Sequence, residues 1–251
     1  MPGICAMIRF TNVSMAYHAR NLRKTVLTDA NFTIRPGDAI GICGANGAGK
    51  STLLRLLAGV EYPTAGRIKR GMSVSWPIGY TSAFQASLTG ADNARFIARI
   101  YRRPAAPLLD FVERFAELGP YFRQPVKSYS AGMQARLAFG ISLAIDFDCY
   151  LVDEITGVGD ERFRERCRAA LTHRRDTGTL VMVSHDAETL RAYCTGGAVL
   201  KDGTLVFYPT IDEAIAVHQW QQLHGASAGT GIGQHPGWRQ LREAPGAPPS
   251  A

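Results

Sequence analysis

From Ala39 the chain runs Ala-Ile-Gly-Ile-Cys into Gly44-Ala45-Asn46-Gly47-Ala48-Gly49-Lys50-Ser51, and on through Thr52 to Ala58. Gly44, Gly49, Lys50 and Ser51 stand at the four fixed positions of a phosphate-binding loop. Ala39 to Cys43 is a short apolar run that reads as a buried strand. Lys50 to Ala58 carries Leu53, Leu54, Leu56 and Leu57 and meets Gly59 just past its end, which reads as a helix. The motif requires a strand before it and a helix after it, and a chance glycine-rich turn has neither. Its glycines let backbone N–H groups curl around phosphate oxygens, and the helix N-terminus adds positive potential there. Gly44, Ala45, Asn46, Gly47, Ala48, Gly49, Lys50, Ser51 and Thr52 are therefore candidate nucleotide contacts. Lys50 reaches the outer phosphates, and the Ser51 hydroxyl is a candidate magnesium ligand.

About a hundred residues on, Asp153-Glu154 follows the apolar strand Tyr150-Leu151-Val152. A carboxylate at that strand tip sits beside the phosphate loop and holds magnesium, which assigns Asp153 to the metal. A second carboxylate one residue later can polarise an attacking water, which makes Glu154 the candidate general base. His185 closes a further apolar strand, Leu180 to Ser184. Its imidazole there can contact the terminal phosphate and hold the water and Glu154 in place.

Around these motifs the chain divides into three regions. Residues 6–43 look like strands, with a Pro36-Gly37 turn after Phe32 and Ile34. Residues from about 86 to 147 look mostly helical. Thr89-Gly90-Ala91-Asp92 resembles a capping box with Asp in place of Glu. Phe96, Ile97, Ile100 and Tyr101 are expected on one face of that helix, with Arg95, Arg99 and Arg102 on the other, and Pro104 and Pro107 are expected to end it. Leu108, Phe111, Val112, Phe115 and Leu118 form the next stripe. Strand and helix then alternate to a last helix over Thr210 to Leu223. This order predicts an α/β fold with a largely parallel sheet and helices on both faces. No internal repeat is present. From Gly225 the final 27 residues hold six Gly and four Pro, a composition that builds no core. A disordered tail is expected over 224–251.

The chain has 251 residues, 46% hydrophobic and 20% charged, which fits a globular core. No apolar run approaches the ~18–20 residues of a membrane-spanning helix. Met1 to Phe10 has neither the basic start nor the apolar length of a signal peptide. Five widely spaced cysteines, with no Cys-x-x-Cys pair, read as reduced core residues rather than a disulfide framework. The net charge is +7, and 23 of the 28 basic residues are arginine, spread along the whole chain. That spread favours solvated helix faces over a nucleic-acid footprint.

Tyr129-Ser130-Ala131-Gly132-Met133-Gln134 resembles the signature of ABC-transporter ATPases. With the phosphate loop, Gln85, the Asp153-Glu154 pair and His185, five elements stand in that family's order over about residues 8–223. The resemblance implies a P-loop NTPase core of ABC type, with an N-terminal antiparallel β-subdomain and an inserted helical subdomain at about 86–147, in a domain spanning 1–223. It implies adenine stacking on Tyr17, a magnesium contact from Gln85, which also places Gln85 among the catalytic groups, and a dimer-interface role for Asp160 in Gly157-Val158-Gly159-Asp160. Ser130 and Gly132 would complete the site of a second copy, giving a head-to-tail homodimer with ATP and Mg2+ at its interface. Ala131 stands where many such signatures have Gly.

Ser75-Trp76-Pro77-Ile78-Gly79, Phe84 to Gly90, Ala144 to Asp148 and Asp153 to Asp160 look like the ATPases of capsular-polysaccharide exporters. This implies an ATPase on the cytoplasmic face of the bacterial inner membrane, paired with an integral-membrane permease dimer. Such a chain touches the polysaccharide only indirectly and has no nucleic-acid partner. Two alternatives compete with this. A soluble ABC ATPase acting on nucleic acid or ribosomes would suit the charge, but such proteins usually carry long coiled coils or two ATPase units. A nucleotide-binding regulatory subunit without turnover conflicts with intact Lys50, Asp153, Glu154 and His185.

Overall fold

Strand β3 (Ala39–Cys43) is buried along its whole length, and its alternate residues belong to two different cores. Ile40 and Ile42 face one side, Ala39 and Cys43 the other. The same division holds in β6 (Cys149–Asp153), where Leu151 parts from Tyr150 and Val152. It holds again in β7 (Thr179–Val183), where Val181 parts from Leu180 and Met182. Side chains of a strand alternate across the sheet, so continuous apolar runs mark a sheet covered on both faces.

The computed structural model describes residues 6–19, 22–80, 84–154 and 160–224. With β5 (Val74–Ile78), β8 (Gly196–Lys201) and β9 (Thr204–Tyr208), the buried strands form a six-stranded sheet in the order β5-β6-β7-β3-β8-β9. All pairs are parallel except β8 with β9. A second, three-stranded antiparallel sheet has the order β2-β1-β4, from β1 (Ile8–Ala19), β2 (Leu22–Ile34) and β4 (Ala65–Arg70). The expected α/β class, with its N-terminal antiparallel part, is what the chain forms.

Helix α1 (Lys50–Ala58) lies between the two sheets. Leu53, Leu54, Leu56 and Leu57 are buried against Phe10, Val26 and Leu27 on one side and Leu151 and Val181 on the other. Each such leucine contributes about 1.5–3 kcal/mol by leaving water. The helix stops at Gly59 (φ 78), whose N–H turns back to the Leu56 carbonyl.

The other face of the large sheet carries the remaining helices: α2 (Gly90–Ile100), α3 (Ala105–Ala116), α4 (Ala131–Leu143), α5 (Glu161–Thr177), α6 (Ala187–Tyr193) and α7 (Ile211–His224). Thr89 caps α2 as expected: its hydroxyl accepts the Asp92 N–H at 3.0 Å and donates to the Asp92 carboxylate at 2.7 Å. The expected apolar face of α2 needs correction. Ile97 is buried with Ala91, Ala94 and Ala98, whereas Phe96 and Ile100 are 57% and 54% exposed. Alanines let α2 pack closely, and the large residues beside them face outward. Pro107 also does not end α2. It sits in the first turn of α3, where its missing N–H leaves no helical bond unmade.

Trp76 of β5 ties the helices to the sheet. Its indole N–H donates to Ser142 Oγ on α4 at 2.8 Å, and its ring lies 5.5 Å from Tyr101 and 5.6 Å from Phe147. Cys43, Cys149, Cys167 and Cys194 are buried free thiols, their pKa values raised by burial to about 11 for Cys43 and about 12 for the other three. Among the described residues no helix is long and apolar enough to cross a membrane. The tail expected over 224–251 starts one residue too early, since His224 is the last residue of α7; residues 225–251, Cys5 and Gly157 to Gly159 lie outside the described residues.

Candidate nucleotide site

The phosphate loop leaves the C-terminal end of β3 and enters α1, as its sequence requires. Two glycines are sterically obligatory. A Cβ on Gly44 would meet the Leu200 carbonyl oxygen at 2.6 Å. Gly49 has φ +109, and a Cβ there would come within 2.2 Å of Val26 Cγ1. Lys50 opens α1 and is only 8% exposed. Its ammonium donates to the carbonyls of Gly44 at 2.6 Å and Ala45 at 3.0 Å, inside the curve of the loop. Burial lowers the Lys50 pKa, and the charges of Asp153 and Glu154 work against that fall. The first turn of α1 holds no acidic residue, so the helix end adds its positive potential to that of Lys50, with Asp153 and Glu154 the acidic groups facing them.

A cavity of about 270 Å³ opens over this loop. Lys50, Ser51 and Thr52 form its floor, and Asp153, Glu154 and His185 one wall. The acidic pair arrives on β6 and the histidine just past β7, which are adjacent parallel strands with Asp153 level with Val183. Glu154 takes φ +52 and donates its N–H to the Val183 carbonyl at 2.9 Å, and its carboxylate lies 3.7 Å from His185 Nε2.

Tyr17 closes the far side. Three register irregularities between Phe10 and Ala16 rotate β1, so that Tyr17 faces the loop with Lys24 of β2 directly opposite it. The Tyr17 hydroxyl lies 2.7 and 2.8 Å from the Glu61 carboxylate oxygens and accepts from Arg55 at 3.2 Å. Lys24 and Val26 line the same cavity and were missed by sequence reasoning. Lys24 has no motif of its own; only its pairing with Tyr17 brings it there.

The other expected site residues stand elsewhere. Gln85, Ser130, Gly132 and Asp160 do not line this cavity, and of the loop itself Gly44, Ala45 and Ala48 do not line it either. Ser130 caps α4, its hydroxyl accepting the Met133 N–H at 3.3 Å. Ala131 is the first helical residue and does not adopt positive φ, so its methyl carries no backbone strain. Beside it Gly132 has room for a side chain, since an added Cβ would meet Ser130 Oγ no closer than 3.9 Å.

Asp160 caps α5 by accepting the Phe163 N–H at 2.9 Å, and that bond, with the Arg136 charge beside it, holds its carboxyl below the usual range. Arg136 of α4 donates to Asp160 at 2.8 Å, lies 4.0 Å from Glu117 and covers the Phe163 ring at 4.7 Å. The signature helix and Asp160 are thus fastened to each other, through a residue that sequence reasoning did not single out.

The phosphate loop opens its cavity at the C-terminal end of the parallel strands, and the helix capped by Ser130 stands outside that cavity. Comparison with known sequences settles the family: the model described as ABC transporter matches residues 27–157. The chain belongs to the ABC transporter family. This ABC chain is 49% identical over 208 residues to the ATP-binding protein BexA of Haemophilus influenzae, covering 83% of this chain and 96% of that one. It is equally similar, over the same shares, to the capsule polysaccharide export ATP-binding protein CtrD of Neisseria meningitidis serogroup B. Among solved structures, a dimeric post-hydrolysis state of an ATP-binding cassette bound to ADP and Pi superposes with a TM-score of 0.68. It is 22% identical and covers 78% of this ABC chain and 95% of that cassette.

Proposed function

We propose that this chain is the ATP-hydrolysing subunit of a transporter that exports a capsule-type polysaccharide through a separate membrane permease. The observation that carries the enzymatic part is the convergence of Lys50, Ser51, Asp153, Glu154 and His185 on one cavity at the C-terminal edge of a parallel sheet. The likeness to CtrD supports the cargo.

In this proposal Lys50 exchanges its two carbonyl partners for oxygens of the outer phosphates. The loop amides of Gly47 to Ser51 take the inner ones. Tyr17, held by Glu61 and Arg55, offers its ring to the adenine. Glu154 accepts the proton of the attacking water, while His185 orients Glu154 and the terminal phosphate. The oxygen donors Ser51 and Asp153 line one cavity and suit a hard divalent cation, so they would hold Mg2+; Gln85, which lies outside this cavity, would join them only by moving toward it. The ion when bound neutralises phosphate charge and orients the terminal phosphoryl group.

Ser130 and Gly132 lie outside their own chain's cavity, so they complete the site of a second copy, with Asp160 at the same interface. ATP then binds the pair better than the single chain and draws the two copies together. The permease docks on the helical face where α2 leaves Phe96 and Ile100 to solvent. The chain works on the cytoplasmic face of the inner membrane, as a peripheral subunit.

The test uses a host strain lacking this gene, complemented with the native chain or with Lys50→Ala. The native chain restores surface polysaccharide. The variant, expressed at equal level, leaves the polymer inside the cell. Normal surface polymer with the variant would refute the export role.

A further inference from the structure

Asn93 lies on α2 and is 3% exposed. Its side chain turns back over the start of its own helix. Oδ1 accepts the Gln85 N–H at 2.9 Å, and Nδ2 donates to the Gln85 carbonyl at 3.2 Å and to the Thr89 carbonyl at 2.9 Å. Both backbone polar groups of Gln85 therefore end on one buried amide, while the Gln85 side chain is exposed. The Gln85 carbonyl also accepts the Leu88 N–H at 3.0 Å, which closes the loop into a tight ring. The next carbonyls are taken as well. Ala86 accepts from Lys127 at 2.8 Å and Leu88 from Val126 at 2.9 Å, on the segment that leads into Ser130.

Only an amide side chain serves here. It must accept one bond and donate two from a single planar group. Leucine fills the volume but strands the Gln85 N–H and leaves the Gln85 and Thr89 carbonyls with one bond each, from Leu88 and from the backbone N–H of residue 93. Aspartate keeps the acceptor for the Gln85 N–H, loses both donors and brings a charge against carbonyl oxygens. If the loop needed only to be compact, the Leu88 bond and the two bonds from Val126 and Lys127 would already close it. The extra amide is spent on Gln85, whose carboxamide is exposed.

We infer that Asn93 is a positioning residue for Gln85. It locks the Gln85 backbone to α2, so that the Gln85 carboxamide meets the metal site at one fixed place. A displacement of Gln85 is then carried into the segment before Ser130. The inference rests on the proposed metal contact of Gln85.

The experiment compares the full chain with Asn93→Ala, Gln85→Ala and the double variant. It measures turnover, KM for ATP at saturating Mg2+, and the Mg2+ concentration at half-maximal activity. Asn93→Ala lowers turnover about tenfold and raises the Mg2+ requirement several-fold, with KM for ATP within twofold of native. The double variant is no worse than Gln85→Ala alone, because residues acting through one group are not additive. Should Asn93→Ala not fold, Asn93→Asp, which keeps the bond to the Gln85 N–H, shows the same pattern at smaller size. An unchanged Mg2+ requirement in a folded Asn93 variant overturns the inference. So does a double variant whose losses multiply, provided Gln85→Ala is itself impaired. Gln85→Ala with native turnover and native Mg2+ dependence overturns the metal contact itself, and the positioning role with it.

Discussion

His185 Nε2 stands 3.7 Å from the Glu154 carboxylate, each side chain at the tip of one of two adjacent parallel strands. That spacing is longer than a hydrogen bond, and in the proposed reading the two side chains act on one terminal phosphate. Glu154→Gln keeps shape and removes the base. Turnover is expected to fall ~10²–10⁴-fold, with ATP affinity within a few-fold of native. His185→Ala should also lower turnover, and the double variant should be close to the worse single one. Phosphate release and equilibrium nucleotide binding decide this. Native turnover in Glu154→Gln would remove Glu154 from the chemistry.

Lys24 supplies a second cation at the cavity, across the sheet from Tyr17. An exposed charge of this kind is worth about 0.5–1 kcal/mol, roughly two- to fivefold in affinity. Lys24→Ala should raise KM for ATP by that factor with kcat unchanged. The difference should shrink as salt rises, because screening removes it. Titration of native and variant chains at two ionic strengths is the measurement, and an equal KM at low salt would leave Lys24 without a role.

The proposed division of the site between two chains predicts dimerisation driven by ATP. Glu154→Gln should sediment as a dimer with Mg-ATP and as a monomer without it, because the ligand favours the state that binds it better. Adding Ser130→Arg should abolish that dimer while leaving ATP binding to the single chain intact. If Glu154→Gln stays monomeric with Mg-ATP, alone and with the permease present, the two-chain site is wrong.

What could be read in advance was whatever is local. β3, the loop and α1 follow one another within twenty residues, and each element's pattern stands in its own stretch of chain. The strand-end placement of Asp153, Glu154 and His185 followed from apolar runs that stop. The apolar face of α2 was misjudged because size was taken for burial. Small alanines make the packed side there, and nothing within the helix says that Phe96 faces outward. Lys24 was invisible because its place depends on the irregularities that twist β1. Asn93 looked like one polar residue in a helix, since its three partners lie up to eight residues earlier in a loop without periodic pattern. Arg136, Asp160 and Glu117 come from three different elements, and only the packed fold brings them together.

The outward-facing Phe96 and Ile100 also bear on how the cell keeps its transporters in proportion. They lie one turn apart on α2, on a surface assigned above to the permease. A copy made in excess carries that surface bare, and bare apolar surface is what chaperones and proteases recognise. If the proposed permease covers that surface, the lifetime of a free copy would be set by how soon it finds one. Surplus subunits would then be cleared rather than stored, and the number of free chains drawing on the ATP pool would be held to the number of pores that can use them.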